Sequence, residues 1–133
     1  MPRFAPVLAL CLVAALPAQA DEWDRLRDDP EISQGLVDFA IARDIQNRCS
    51  TISARRLRAI GFINELVNDA MELGYRRSEI RQFVFNEAEQ ERVGAIADER
   101  LAARGASPTM MAGYCTVGRE EIAAGSAIGR LLR

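Results

Sequence analysis

Histidine is absent from all 133 residues and so is lysine, leaving arginine as the sole basic side chain, 17 times. Without imidazole, Ser-His-Asp and Cys-His catalysis, Cys₂His₂ zinc and histidine-ligated metals are all excluded. Cysteine is scarce too, at three residues, and none stands in a C-x-x-C pair. Neither sign of charge is in excess: 17 arginines face 19 acids for a net −2, which gives no basic surface for nucleic acid. After residue 20 no apolar run approaches the ~20 residues of a membrane-spanning helix. What is left is ordinary globular usage, 49% hydrophobic and 27% charged, in a chain short enough for one domain.

The first twenty residues read as an address. Met1-Pro2-Arg3 carries one positive charge, residues 4–16 are uncharged, and Ala18-Gln19-Ala20 forms a small-x-small site before Asp21-Glu22. That order is the layout of a secretory signal peptide, and the run is too short to cross a hydrocarbon core of ~30 Å as a helix. An N-terminal core helix is the competing reading; the coincidence of the site with the onset of charge argues against it. Cys11 lies inside the apolar run behind Leu10, without the small neighbour that lipid attachment needs, so it reads as discarded. Cleavage between Ala20 and Asp21 leaves a single domain over residues 21–133. One arginine goes with the leader, so the net charge moves from −2 to −3. The expected localisation is periplasmic, with no membrane span after cleavage.

In an oxidising compartment the remaining pair, Cys49 and Cys115, reads as one disulfide. It would close a loop of about half the chain, stabilising the fold by ~4 kcal/mol on the chain-entropy model. A redox pair is the alternative, but no evident charged neighbour would activate either thiol.

The rest reads as helices. Residues 21–29 have only Trp23 and Leu26 as large apolar side chains and read as an extended or flexible lead-in. Asp29-Pro30-Glu31 then supplies a capping carboxylate, a proline suited to the first helical position and an acid near the positive dipole end. Apolar spacing through Ile32, Leu36 and Phe39, with Val37, Ile41 and Ile45 on the next face, predicts a helix from about 31 to 48. Ser53 stands where it would cap a second helix, whose stripe is Ile63, Leu66, Ala70 and Leu73 and whose stop is Gly74. Ser78 would cap a third, running past Ile80 and Phe83 to Ile96, Leu101 and a stop at Gly105. The short link predicts an antiparallel hairpin of these two. A final helix over about 117–131 puts Gly118, Ile122, Gly125 and Gly129 on one face, a groove for the stripe of the second helix. The expected fold is all-α: a small bundle of about four helices with a central αα-hairpin, closed by one disulfide.

Glu87, Glu89 and Glu91 are the densest acids, and Glu87 and Glu91 share a helix face where they would bind a cation or share a proton. A solvated face interleaved with Gln90 and Arg92 is the favoured reading. Glu120-Glu121 falls in the expected first turn of the final helix, where acids suit the dipole. Arg55-Arg56 with Arg58, and Arg76-Arg77, form two basic clusters able to hold phosphate or a partner's carboxylate. Met110-Met111 beside Tyr114 reads as a buried connector, with an adaptable binding patch as the alternative. These residues assign no catalytic, cofactor-binding or metal-ligating set.

The strings Ser50-Thr51-Ile52-Ser53-Ala54-Arg55, Leu73-Gly74-Tyr75 and, above all, Gly118-Arg119-Glu120-Glu121-Ile122-Ala123 with Gly129-Arg130-Leu131-Leu132 resemble an alphaproteobacterial family known as domain of unknown function 5333. The resemblance covers the chain from about Pro30 onward and implies no activity, cofactor or site residue. Through members encoded among respiratory NADH dehydrogenase genes it implies an association with that complex, although a cleaved export signal fits poorly with a subunit of its cytoplasmic arm. The expected function is therefore a non-catalytic periplasmic accessory protein that binds an unknown protein partner in the cell envelope. An immunity or inhibitor protein against a toxic periplasmic enzyme is the alternative. A hydrolase using a carboxylate pair is a third, and it would need two acids with separated pKa values in one cleft.

The export reading is checked by intact-mass spectrometry of the protein purified from its own cells. The expected N-terminus is Asp21; a retained Met1 or a lipid adduct on Cys11 overturns it.

Overall fold

A computed structural model of the chain describes residues 21–133, so the expected leader, with Cys11 and Ala20, lies outside the described residues. Six α-helices follow in order: α1 Asp24–Asp28, α2 Pro30–Arg48, α3 Arg56–Glu72, α4 Arg77–Val84, α5 Glu87–Ala103 and α6 Ala112–Ala124. A 3₁₀ turn, Gly129–Leu131, closes the chain. The fold is all-α, and Cys49 and Cys115 are joined by a disulfide with their Cα atoms 5.2 Å apart.

The start of α2 is built as its sequence dictates. The Asp29 carboxylate accepts from the backbone N–H groups of Glu31 (3.0 Å) and Ile32 (2.9 Å), and Pro30 takes the first position. This helix buries Ile32, Val37, Ala40, Ile41 and Ile45, positions spread around most of its circumference. Such a helix must be enclosed. α1, α3, α5, α6 and the 3₁₀ turn all pack on it. The centre of the bundle is therefore α2, where the sequence points to a hairpin of the second and third helices.

Two apolar clusters divide its length. Around the first half, Leu26, Ile32, Ala70, Ile80 and Phe83 are buried, with Trp23 edge-on to Phe83 at 5.7 Å between ring centroids. Around the second half, Ile41, Ile45, Cys49, Leu101, Tyr114, Val117 and Leu132 form the larger core. Residues 21–29 are not a loose lead-in. Asp24–Asp28 is helical, Leu26 is buried, and Tyr75 donates its hydroxyl proton to the Glu22 carbonyl at 2.6 Å. One apolar residue per turn in a five-residue helix leaves too little periodicity to read.

The expected third helix is two. Asn86 adopts an extended backbone (ψ 127°) and its side chain accepts from the Glu89 N–H at 3.1 Å, capping α5. Apolar spacing on either side concealed a start signal that Asn86-Glu87 plainly carries.

The last helix is shorter than expected and ends at Gly125, whose φ of +60° is the left-handed conformation that closes a helix and suits glycine. The chain then doubles back, bringing Gly129 so close to the Glu121 carbonyl that no Cβ would fit. Gly118, Gly125 and Gly129 thus share no helix face. Gly118 alone makes a close helical approach, against Ile45 and Ile52. The stripe of α3 meets α2 instead, with Leu66 seated on Gly35, where a Cβ would lie 2.5 Å from Leu66 Cδ2.

Past the 3₁₀ turn the terminus pairs with the link before α3. Ser53 N–H donates to the Arg133 carbonyl (2.8 Å), Arg133 N–H returns to Ser53 (2.9 Å), and Arg55 N–H reaches Leu131 (2.8 Å). Ser53 is thus a ladder residue and not a helix cap. α3 starts three residues later with no side-chain cap.

The disulfide joins the end of α2 to the first turn of α6 across the larger core. Cys49→Ser is expected to lower the free energy of unfolding by about 4 kcal/mol, the loop-closure contribution. Helical circular dichroism at low temperature should persist. Two titratable thiols in protein isolated under alkylating conditions would contradict the bond.

Candidate docking groove

On α2, Leu36, Phe39, Arg43 and Gln46 recur at three- and four-residue spacing and so lie on one face, which together with Ala40 and Ala42 floors two open cavities. The first cavity, about 320 Å³, is walled by Ala54, Arg56, Ala59 and Ile60 on one side and by Leu131 and Leu132 on the other. The second, about 190 Å³, lies between Leu36 and Phe83, Val84, Gln90 and Val93. Phe39 and Arg43 border both, so the two form one groove. At its margin Ile60 (58%) and, one turn of α3 earlier, Leu57 (86%) are exposed. Neighbouring exposed apolar side chains mark a contact surface more often than scattered ones do.

Arginine supplies the charge. Arg55, Arg56, Arg58 and Arg133 pair with no carboxylate among the described residues. Arg55 Nε is buried without an acceptor. No acid stands in the first turn of α3. Arg43 reaches Asp44 at 3.7 Å, a carboxyl that burial holds above its ordinary pKa.

The acids are committed elsewhere. Glu89 is buried, receiving Arg27 Nε at 2.6 Å and Arg92 Nε at 3.0 Å, while Glu87 and Glu91 face solvent. The acidic cluster therefore splits into one structural anchor and two solvated groups. Burial pushes the Glu89 carboxyl up, but the two guanidiniums outweigh it and hold the group below its ordinary value. Glu120 and Glu121 sit in the C-terminal half of α6, not its first turn. There the dipole disfavours acids, and Arg104 compensates by pairing with both. The Glu121 carboxyl also accepts from the Ser126 hydroxyl; against the upward push of burial, these contacts hold it below the usual range.

Asp38 escaped the sequence reading. It is buried on α2, accepts from Gln34 Nε2 at 2.7 Å, and burial raises its pKa despite that bond. Glu121 lies near enough to add to the rise. A raised and a lowered carboxyl side by side is an acid–base pattern, yet neither lines the groove. A carboxyl at an apolar spacing on α2 was the available signal.

Of the other sequence candidates, Arg76 is paired with Glu79, whose carboxylate also accepts from the Arg76 backbone N–H at 2.7 Å. That acid, not Ser78, caps α4. Met110 and Met111 are exposed, although Tyr114 beyond them is buried under Arg48, 5.2 Å from its ring centroid. The groove lining combines apolar side chains and guanidinium with the amides of Gln46 and Gln90 and the Glu89 carboxylate, which Arg27 and Arg92 hold.

A model for a family of unknown function, DUF5333, matches residues 24–133. The chain belongs to that family. The matched DUF5333 region opens on the first residue of α1, so it includes the helix that docks on α2. No curated protein and no solved structure matches the chain.

Because Glu89 binds its proton more weakly folded than unfolded, its contribution is complete above about pH 4.5 and fades as pH falls below that value. Glu89→Gln is expected to cost about 2–3 kcal/mol at pH 7, less than a fully buried pair because both arginines keep some water contact. Denaturant titrations across pH should show a flatter acid limb in the variant. An unchanged limb would remove Glu89 from the acid response.

Proposed function

We propose that this protein is a non-catalytic accessory protein of the periplasm that works by docking a partner protein in the groove over Phe39 and Arg43. The observation that carries the reading is the apolar cavity floored by Phe39 and Ala42 of α2 and edged by exposed Ile60, with exposed Leu57 close by on the same turn of α3. An open apolar cavity of this kind has a cost, since apolar area there stays in water.

Compartment and architecture support the same reading. A structural disulfide belongs to an oxidising space, and the leader seen in the sequence would deliver the chain there. Among the described residues no helix is long and apolar enough to cross a membrane. The ties at Cys49–Cys115 and at Arg27–Glu89 make a preorganised surface, which lowers the ordering cost of binding. An inhibitor of a toxic enzyme would use the groove in the same way, and the identity of the recovered partner distinguishes the two; a respiratory-complex subunit among the recovered proteins would favour the association implied by the family.

Affinity recovery from periplasmic extract tests the reading. The tag belongs at the mature N-terminus, because Arg133 stands beside the groove. The wild-type chain should recover a stoichiometric partner. Ile60→Asp should lower that recovery at least tenfold, a loss of about 1.4 kcal/mol or more. Its melting temperature should barely change, since Ile60 is largely exposed. Undiminished recovery by Ile60→Asp would move the docking surface elsewhere.

A further inference from the structure

We infer that the groove's partner presents an acidic, amphipathic segment: one bulky apolar side chain filling the cavity beside Ile60, with neighbouring carboxylates on the arginines at the start of α3. The inference rests on the docking reading above and names the chemistry of its occupant.

Charge complementarity argues it. Arg55, Arg56, Arg58 and Arg133 line one depression with no acid among its lining residues, and none of the four meets a carboxylate among the described residues. Arg56 and Arg58 occupy the first turn of a 17-residue helix and Arg55 immediately precedes it, where the dipole is already positive and cations are disfavoured. Backbone pairing with Ser53 brings Arg133 alongside. Four like charges held together at a positive helix end, one with a buried Nε lacking an acceptor, conflict locally with stability. Conflicts of this kind mark binding surfaces.

Geometry then selects the occupant. The apolar cavity and the depression lined by Arg55, Arg56, Arg58 and Arg133 share Ala54 and Arg56, so they adjoin. A ligand that satisfies both must carry an apolar group and a negative charge within a residue or two of each other. A free inorganic anion would leave the cavity empty. A bilayer surface would meet the protruding Leu57 but not two concave sites. A second copy offers Phe85 beside Glu87, yet Glu89 is held by Arg27 and Arg92. Only Glu87 and Glu91 would then face four arginines. A foreign segment with denser acids fits better.

The test places p-benzoylphenylalanine at position 60 of the full chain, irradiates cells in which it is exported, and sequences the attached peptide. The expected peptide carries Asp or Glu within about three residues of the attachment point. Arg56→Glu with Arg58→Glu should cut the adduct at least about tenfold, as reversed charges at a docking rim do. Arg56→Lys with Arg58→Lys should retain most of it, which guards against a folding defect. Raising the ionic strength of extracts should weaken the contact. An attached peptide without acids, a lipid adduct, attachment to a second copy of the chain, or indifference to the Glu pair would each overturn the inference. If position 60 yields no adduct while the tagged chain still recovers a partner, the inference falls and the accessory reading survives with a different surface. If neither appears, both fall.

Discussion

The burial of α2 is the constraint on which the other elements depend. A helix with Ile32, Val37, Ala40, Ile41 and Ile45 spread around its axis has no solvent face to spare, so its neighbours must wrap it. In a chain of this size that takes nearly every other element: α1, α3, α5, α6 and the 3₁₀ turn. The disulfide then fixes the end of α2 to the helix that arrives last in sequence. Glycine lets two of these neighbours come close, Gly35 under Leu66 and Gly118 under Ile45 and Ile52. The groove is what is left where the neighbours of α2 do not quite close around it.

Charge divides the surface unevenly. Around α1, α5 and α6 the arginines lock helices together, with Arg27 and Arg92 converging on Glu89 and Arg104 bridging Glu120 and Glu121. Around the start of α3 they meet no carboxylate among the described residues. The same residue type thus serves as internal mortar in one place and as a charged surface in another. Arginine suits both tasks because its planar fork holds carboxylates with fixed geometry and keeps its charge when partly desolvated.

How much of this was legible depended on whether the signal was local. Asp29-Pro30 announced α2 and Gly74 the end of α3, because each acts through its own few residues; the disulfide was legible because only two cysteines remain after residue 20 and so only one pairing exists. The fold class followed from periodicity alone. Boundaries failed where two signals overlapped: Asn86 caps α5 inside an apolar run, and Gly125 ends α6 inside what looked like a small-residue face. Burial was the least legible property. Glu89, the middle of three similar acids, is the one that α1 covers, and Asp38 differs from its helical neighbours only in what packs over it. Met110 and Met111 are exposed because the chain turns outward there, which composition does not report. The groove itself is an absence of contact, and no residue pattern encodes that directly, although Leu36, Phe39, Arg43 and Gln46 fall on one face at helical spacing.

The placement of Trp23 has an optical consequence. It is the chain's single tryptophan, and it stacks edge-on against Phe83 in the smaller cluster, outside the segment that the disulfide closes. Its emission therefore reports the seating of α1 against α4 and is blind to the core around Tyr114. Terminal helices held by few contacts open at lower free energy than a covalently closed core. The indole should accordingly become solvated before the far-ultraviolet ellipticity is lost, and the interval between the two midpoints measures how independently residues 21–29, with α1, come away from the rest.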